Sequence, residues 1–249
     1  MAAEGCLIKP LFYSWILREA PATLNLMVSR PVRREPDGWF HASQHPLATD
    51  RELWLWLTGQ AGPEDMDYQS MMSVMFGSLG HAIIESFLDW MGASVPLPAT
   101  CCPNCGRPRR MLRARPDPEK YCTEHGFADH ETRSRCHLDA ILDLGGEGPL
   151  GFDFKSIYVF GFKATRDRPA IRDMDSAQFR ERWPRYWAQM QECMRLSGLR
   201  KYIVFFLTMG MPWDTREFHF GYDEEFAEGV AAKYRAVLSH YERGVEIIA

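Results

Sequence analysis

The stretch GFDFKS, at Gly151–Ser156, places an acid and a base two residues apart in a run that otherwise reads as a strand. Because successive side chains alternate across a strand, Asp153 and Lys155 share one face, while Phe152 and Phe154 take the other. An isolated aspartate and lysine at this spacing is most simply an ion pair on a solvated face. Other parts of the chain favour a functional site instead.

A second polar strand precedes this one. CHLDAILDL, at Cys136–Leu144, alternates polar and apolar residues, and the turn GGEGP separates it from LGFDFKSIYVF. The pattern predicts a β-hairpin in which Asp139, fourteen residues before Asp153, lies beside it, with Lys155 on the same face. Two adjacent carboxylates are costly without a cation between them. Their oxygens suit Mg²⁺ or Mn²⁺, which activate water for attack on a phosphate, and the lysine would assist that water and stabilise charge on phosphorus.

The stretch Met71–Met91 predicts an amphipathic helix. Its apolar residues recur every fourth position and form one stripe. They are Met75, Leu79, Ile83, Phe87 and Met91. His81 lies off this stripe, with Glu85 one turn further on the same flank. Gly77 and Gly80 would let another backbone or a ligand come close.

Helices and strands alternate through the rest of the chain. RELWLWLTG predicts a short helix that ends at Gly59, and AQFRERWPRYWAQMQECMRLSGL predicts a helix that breaks or begins near Pro184 and ends at Gly198. KYIVFFLTM reads as a buried strand, TREFHFGYD as an alternating strand, and the tail from Glu224 to about Arg243 as a helix. This order predicts an α/β domain with a mixed central sheet flanked by helices.

Five of the seven cysteines fall between residues 101 and 136, and residues 100–130 show no periodicity. CCPNCG and YCTEHG form two knuckles, each with two ligands separated by two residues, and a sixteen-residue spacer lies between them. Such a pair is typical of one tetrahedral zinc ion, so residues 100–130 are predicted to be a zinc-binding insertion. The predicted ligands are Cys102, Cys105, Cys122 and His125. Cys101 is an alternative to one of these ligands, and His130 or Cys136 to His125.

Between the two knuckles lies RPRRMLRAR, with five arginines in nine residues. A run of charges is usually a solvated loop, but on a loop held by zinc beside a phosphate-cleaving site it would contact the DNA backbone. The arginines are Arg107, Arg109, Arg110, Arg113 and Arg115.

The composition is that of a soluble globular protein, with 249 residues, 46% of them apolar and 25% charged. A formal charge of −4 argues against a protein that coats nucleic acid by bulk charge, but it leaves a local basic groove open. No apolar run reaches the roughly 18–20 residues of a membrane span, and the first residues show no secretion signal. We therefore expect a cytoplasmic protein with no membrane partner.

GSLGH on a helix, HLDAILD, GFDFKS and YWAQMQECMRLSGL, in that order, resemble the motifs of the PD-(D/E)XK nuclease superfamily, in particular its RecB-like and phage-type exonuclease branch. The resemblance extends over roughly residues 71–210, apart from the insertion. It implies a restriction-endonuclease-like core over residues 71–249. The apolar pattern of the first thirty residues and the helix that ends at Gly59 predict a helical region over residues 1–70 before this core. The resemblance also implies a metal-dependent DNA exonuclease of recombination or processing, in the host cytoplasm if phage-encoded, with a recombination protein as a candidate partner.

The resemblance also assigns roles in the metal site. Asp139 and Asp153 match the metal-binding acids, the carbonyl of Phe154 matches a further ligand, and His81 matches the histidine that completes the site. Lys155 matches the catalytic lysine. An imidazole ligand tilts the metal preference toward Mn²⁺.

The motif YWAQMQECMRLSGL gives two further site residues, and at one position the chain departs from the pattern of the family. Tyr186 and Gln189 match the tyrosine and glutamine of the family's helix; Tyr186 is assigned to DNA and Gln189 to positioning the site or the DNA, with Gln191 as the alternative. Family members commonly have a glycine three residues before the first acid, where this chain has Cys136. Asp143 therefore stays an alternative to Asp139.

Other interpretations remain open at this point. RecB-like relatives often hold an iron–sulfur cluster with four cysteines, usually three of them after the nuclease core, but this chain has no cysteine after Cys193, which favours zinc. A structure-specific endonuclease or nickase of the same superfamily would have the same site residues. A zinc-containing DNA-binding module with an idle nuclease site is the alternative from another class.

Overall fold

The computed structural model describes residues 8, 11, 36–61, 77, 80–81, 83–84, 86–88, 90–92, 125–145, 148–158, 170–209 and 214–247. Three of the predicted zinc ligands and the whole arginine run lie outside these residues, namely Cys102, Cys105, Cys122, Arg107, Arg109, Arg110, Arg113 and Arg115. Among the described residues, no helix is both long enough and apolar enough to cross a membrane.

The described elements follow one another as a mixed α/β chain. They are β1 (Phe40–His41), α1 (Asp50–Leu57), β2 (His125–Asp129), β3 (Ser134–Leu138), β4 (Ala140–Leu142), β5 (Leu150–Tyr158), a 3₁₀ turn (Ile171–Asp173), α2 (Ser176–Arg182), α3 (Pro184–Ser197), β6 (Lys201–Met209), β7 (Thr215–Gly221) and α4 (Glu224–Glu242). Residues 77, 80, 81, 83, 84, 86–88, 90 and 91 are also helical, and we call them the His81 segment.

The larger sheet has the strand order β4-β5-β6-β7. β4 and β5 form the predicted antiparallel hairpin, with Ala140 opposite Phe152 and Leu142 opposite Leu150. β5 and β6 run parallel, and β7 returns antiparallel to β6. The chain between the parallel strands β5 and β6 contains α2 and α3, as a crossover connection requires. The prediction of a mixed sheet with flanking helices is therefore confirmed.

Both faces of this sheet are buried, which explains the continuous apolar run of β6. Val204 and Phe206 belong to the core cluster that packs beneath α2 and α3. Phe205 and Leu207 belong to a second cluster that contains Phe87 and other residues of the His81 segment. The central strand β5 is thus enclosed between helices on its two faces.

The signals at the ends of the helices explain the break between α2 and α3. Asp175 caps α2 through a reciprocal capping box with Gln178. Pro184 begins α3, where its missing N–H costs nothing, because the first turn of a helix has no internal acceptor for it. Gly198 follows α3 in the left-handed conformation with φ 74°, which glycine adopts without strain.

A second sheet was not predicted from the sequence. It has the order β1-β3-β2, with β1 parallel and β2 antiparallel to β3. β2 begins at His125, so residues 125–129 of the predicted insertion form a strand despite their lack of periodicity. The short β1 connects this sheet to a third core cluster, in which Phe40 stacks on Tyr234 of α4 at 4.5 Å between ring centroids.

The prediction of one continuous strand at Cys136–Leu144 is wrong. The chain bends at Asp139, so β3 lies in the smaller sheet and β4 in the larger one. The bend changes the phase of the alternation, because Leu138 packs in the cluster beneath α3 and Leu142 packs in the opposite cluster. Asp139 is therefore the hinge residue between the two sheets.

A buried ionic network joins α3 to the smaller sheet. Arg195 donates from Nε and Nη2 to the two oxygens of Glu192 at 2.9 Å each, from Nη1 to Asp129 at 3.0 Å and from Nη2 to Ser134 at 2.7 Å. The Glu192 side chain is 1% exposed, and that of Arg195 is 11% exposed. Burial raises the pKa of Glu192, although the hydrogen bond and charge of Arg195 oppose this. Arg195 therefore compensates a carboxylate that water does not reach.

Replacing Gly80 with alanine should destabilise the fold, because a Cβ at this position would lie 2.5 Å from the fully buried ring of Phe154. Forcing extra volume into a packed core costs about 1–3 kcal/mol. Gly229, in α4, is the matched control, since its Cβ would meet nothing within 4 Å and alanine should add up to about 1 kcal/mol there. Urea unfolding of the two variants should give changes of opposite sign; equal changes would contradict the close packing at Gly80.

Candidate active site

Asp153 lies at the centre of the candidate site, in the middle of β5. Its side chain faces α3 and is 3% exposed. Its Oδ2 accepts a hydrogen bond from Lys155 Nζ at 2.6 Å and another from Gln189 Nε2 on α3 at 3.1 Å. Gln189 lies 36 residues after Asp153 in sequence, so the fold brings a helix residue and a strand residue together at one carboxylate oxygen.

Asp139 reaches the same place through the hairpin register. Ala140 pairs with Phe152, and continuing this register by one residue sets Asp139 opposite Asp153. The Oδ2 of Asp139 accepts a hydrogen bond from the backbone N–H of Phe154 at 2.7 Å. The predicted juxtaposition of the two carboxylates thus follows from strand pairing.

His81 approaches from the opposite face of the sheet. Its Nδ1 lies 3.5 Å from Asp139 Oδ2, and its ring meets the Phe154 ring edge-on at 5.1 Å between centroids. The His81 side chain is 37% exposed, so it borders solvent. The close approach requires Gly80, because any larger residue there would strike the Phe154 ring.

The charges of the site oppose one another. Burial raises the pKa of Asp153, Lys155 lowers it, and the nearby Asp139 raises it again, so that the pKa stays above its usual value. Burial alone would lower the pKa of Lys155, but the charges of Asp153 and Asp139 outweigh burial and raise it. The lysine is therefore a fixed positive charge at neutral pH, and it provides a hydrogen-bond donor rather than a base.

Tyr186, on α3, contacts Lys155. The Lys155 ammonium lies over the Tyr186 ring, 5.4 Å from its centroid, within the range of a cation–π contact. Tyr186 is one turn before Gln189 on the same helix, so both residues face β5. The tyrosine and the glutamine of the last motif thus contact the lysine and the acid of the GFDFKS strand.

The donor atoms suit a hard divalent cation. Among the residues that the structure describes, no three His, Cys, Asp or Glu side chains form a group close enough to hold a metal ion by themselves. Mg²⁺ does not need such a group, because it is usually held by one or two carboxylates, and water and substrate phosphates complete its shell. Two carboxylates that repel each other, one of them desolvated, fit this kind of open site.

Comparisons with known proteins add a distant likeness. No protein-family model and no curated protein matches the chain. Among solved structures, LHK-Exo in complex with dAMP is similar over 84% of this chain and 90% of that one, with 13% identity and a TM-score of 0.43. The structure of SSO0001 is similar over 97% of this chain and 88% of that one, with 12% identity and a TM-score of 0.37. Likenesses this distant assign neither a family nor a substrate to this chain.

The alternatives that the sequence left open lie apart from the acid pair. The Asp143 side chain is exposed and accepts from the Gly145 N–H in the hairpin turn. Gln191 is buried, donates to the Gly221 carbonyl and accepts from the Asp223 N–H, so it fastens α3 to the start of α4. Of the two glutamines, Gln189 is the one that contacts Asp153.

The described members of the predicted zinc set lie on the smaller sheet and next to it. His125 is buried at the start of β2, opposite Leu138. His130 is exposed and meets the Trp39 ring edge-on, 5.1 Å away. Cys136 is buried in the core cluster beneath α3, which also contains Cys193. The assignment of these residues to zinc stays a prediction.

Tyr202 is a neighbour of the site that the sequence did not indicate. Its ring lies over Gly151, since a Cβ there would come within 2.4 Å of it, and burial raises the pKa of Tyr202, with a further contribution from Asp153. Tyr202 lies in the apolar run KYIVFFLTM, which predicts only a buried strand of the core. The available signal was Gly151 itself, because a glycine inside a strand often marks a close approach.

Proposed function

We propose that the chain is a divalent-metal-dependent DNA exonuclease that hydrolyses phosphodiester bonds. The observation that carries this proposal is the contact of Asp153 with both Lys155 and Gln189, beside Asp139 and His81. Acids that suit Mg²⁺ or Mn²⁺ next to a permanent positive charge are the groups that phosphate hydrolysis needs. A solvated ion pair, the simplest interpretation of GFDFKS, does not account for a buried acid with a second acid beside it.

Each residue has a separate task in this proposal. Asp139 and Asp153 would hold Mg²⁺ or Mn²⁺, which would neutralise phosphate charge and lower the pKa of water. His81 and the Phe154 carbonyl are the further ligands that the resemblance implies. The Lys155 ammonium orients the attacking water and stabilises the negative charge that develops on the phosphate. Gln189 and the Phe154 N–H each hold one carboxylate in a fixed orientation. Tyr186 restricts the lysine and borders the DNA.

The wider assignment belongs to the same proposal. The core would be restriction-endonuclease-like, of the RecB-like and phage-type exonuclease branch, and would act in DNA recombination or processing, with a recombination protein as partner. The arginine run from Arg107 to Arg115 would contact the DNA backbone. Its support is that GFDFKS lies on a strand and YWAQMQECMRLS on a helix, the elements that the resemblance implies for these two motifs.

End-labelled linear DNA should be degraded by the purified chain in the presence of Mg²⁺ or Mn²⁺, and a covalently closed circle of the same sequence should survive. The reason is that an exonuclease needs a strand end to enter its site. Cutting of the closed circle would favour the endonuclease or nickase instead. DNA binding without cleavage in any divalent metal would favour a binding module with an idle site.

Metal analysis should find one zinc ion per chain and no iron, because Cys102, Cys105, Cys122 and His125 provide four ligands of the kinds that zinc takes. Cys105→Ala should lose the zinc. Cys193→Ala is the control, since Cys193 lies in the core beneath α3 and should leave the zinc content unchanged. Iron and sulfide in the purified chain would contradict the zinc prediction.

A further inference from the structure

Two guanidinium groups converge on one buried residue outside the site described above. Arg182, the last residue of α2, donates from Nη1 to the sulfur of Met174 at 3.5 Å. Arg216 of β7 donates from Nη2 to the backbone carbonyl of Met174 at 2.9 Å. Both arginines are partly exposed, whereas Met174 is 2% exposed. Both guanidiniums therefore donate to the same residue, Met174.

Aromatic rings fix the directions of both side chains. The guanidinium of Arg182 lies over the Trp183 ring at 4.7 Å, and that of Arg216 lies over the Phe218 ring at 5.2 Å. The Nε of Arg216 is buried and has no hydrogen-bond acceptor among the residues that the structure describes. Planar guanidiniums held in place on aromatic faces are preorganised to bind an oxyanion, because less rotamer freedom is lost when the ligand arrives.

The pair lies on the same face of the sheet as the acid pair and the lysine. Lys155 pairs with Phe206 on β6, and Phe206 pairs with Arg216 on β7, so the three side chains form one row across the sheet. Two strand spacings, roughly 10 Å, separate the backbones of Lys155 and Arg216. A nucleic-acid strand that rises 3.4 Å per phosphate covers this distance in about three nucleotides.

We propose that Arg182 and Arg216 form a phosphate-binding subsite for the strand that is cut, a few nucleotides from the scissile phosphate. This inference rests on the proposed nuclease function and adds a second contact for the strand, on the β7 side of the sheet. Phe206 itself is buried beneath α2 and α3, so the strand would pass outside it. The ligand is a phosphodiester of the nucleic-acid backbone. Contacts of this kind hold the register of the strand and carry no sequence preference.

Fluorescence anisotropy of a labelled single-stranded oligonucleotide tests the subsite without any need for cleavage. The full chain is used in the presence of EDTA, over a series of potassium chloride concentrations. Arg182→Gln and Arg216→Gln should each weaken binding about tenfold, as expected for the loss of a charged hydrogen bond. Each variant should also reduce the slope of log affinity against log salt by about 0.7, the value for one phosphate contact on a single strand.

Arg180→Gln is the matched control. Arg180 lies on the same helix and also over a tryptophan, Trp187, at 3.8 Å, but it pairs with Asp223 and faces α4. If Arg216→Gln fails to fold, two other variants still test the subsite. Arg216→Lys keeps the charge, and Arg182→Gln lies at the end of a helix. The subsite would be overturned if Arg182→Gln and Arg216→Gln bound the oligonucleotide with the same affinity and the same salt slope as Arg180→Gln.

Two further outcomes separate this inference from the proposed function. A chain that binds the oligonucleotide through both arginines but cleaves no DNA with Mg²⁺ or Mn²⁺ would support the subsite and remove the nuclease. Competition by inorganic phosphate at concentrations comparable to those of the oligonucleotide would assign the pair to free phosphate and overturn the strand path.

Discussion

Asp153→Asn should lower the rate of DNA cleavage about 10³-fold and leave the fold intact. Asparagine has the shape of aspartate and can still accept from Lys155 and Gln189, so the contacts of this buried position persist. It lacks the negative charge that a divalent cation needs. Because a single preorganised charge or donor in such a site contributes on the order of 10²–10³ in rate, we expect cleavage to fall about 10³-fold.

The measurement is the initial rate on linear end-labelled DNA, with thermal unfolding of the same preparation. The melting temperature should fall only modestly, because the raised pKa of Asp153 means that its charge is unfavourable in the folded chain, and Asp139 remains as a negative charge near Lys155. Asp143→Asn is the matched control, because it removes an exposed carboxylate from the same hairpin. Undiminished cleavage by Asp153→Asn would refute the assignment of the site.

Arg195→Met should cause the largest loss of stability among the substitutions considered. It would leave Glu192 buried without its cation, and breaking a buried pair in this way costs about 3–5 kcal/mol. Urea unfolding at neutral pH measures the loss. Arg235→Met is the control, since Arg235 pairs with Glu131 at the surface and such pairs contribute at most about 1 kcal/mol.

The deficit of Arg195→Met should be smaller at pH 5 than at pH 7. Burial raises the pKa of Glu192, and without Arg195 this pKa rises further. An acid with a folded-state pKa above its unfolded value loses stability as the pH rises through the unfolded value. A deficit that is independent of pH, or equal to that of Arg235→Met, would mean that Glu192 does not depend on Arg195.

Much of the candidate site was predictable because its signals are local. Alternation puts Asp153 and Lys155 on one face, and a glycine turn folds the hairpin so that Asp139 returns beside Asp153. The position of Gln189 followed from its helix, which has a proline at its start and a glycine after its end. These features depend on dihedral preferences and periodicity within a few residues of each motif.

The smaller sheet and the bend at Asp139 could not be predicted in the same way. CHLDAILDL has one unbroken alternation, so nothing within it marks the residue at which the strand leaves one sheet for another. The bend forms because Leu138 and Leu142 are buried in different clusters, which other segments complete. Core packing therefore overrides the local pattern at this residue.

By itself, the sequence determined the α/β class, the hairpin, the ends of α3 and the acid and lysine of β5, since each depends on neighbours along the chain. Tertiary structure alone decided that Gln189 rather than Gln191 contacts Asp153, that Tyr202 lies over Gly151, and that Arg182 and Arg216 meet at Met174. These contacts join segments that are distant in sequence. Their geometry exists only after the sheet has paired and α3 has packed on it.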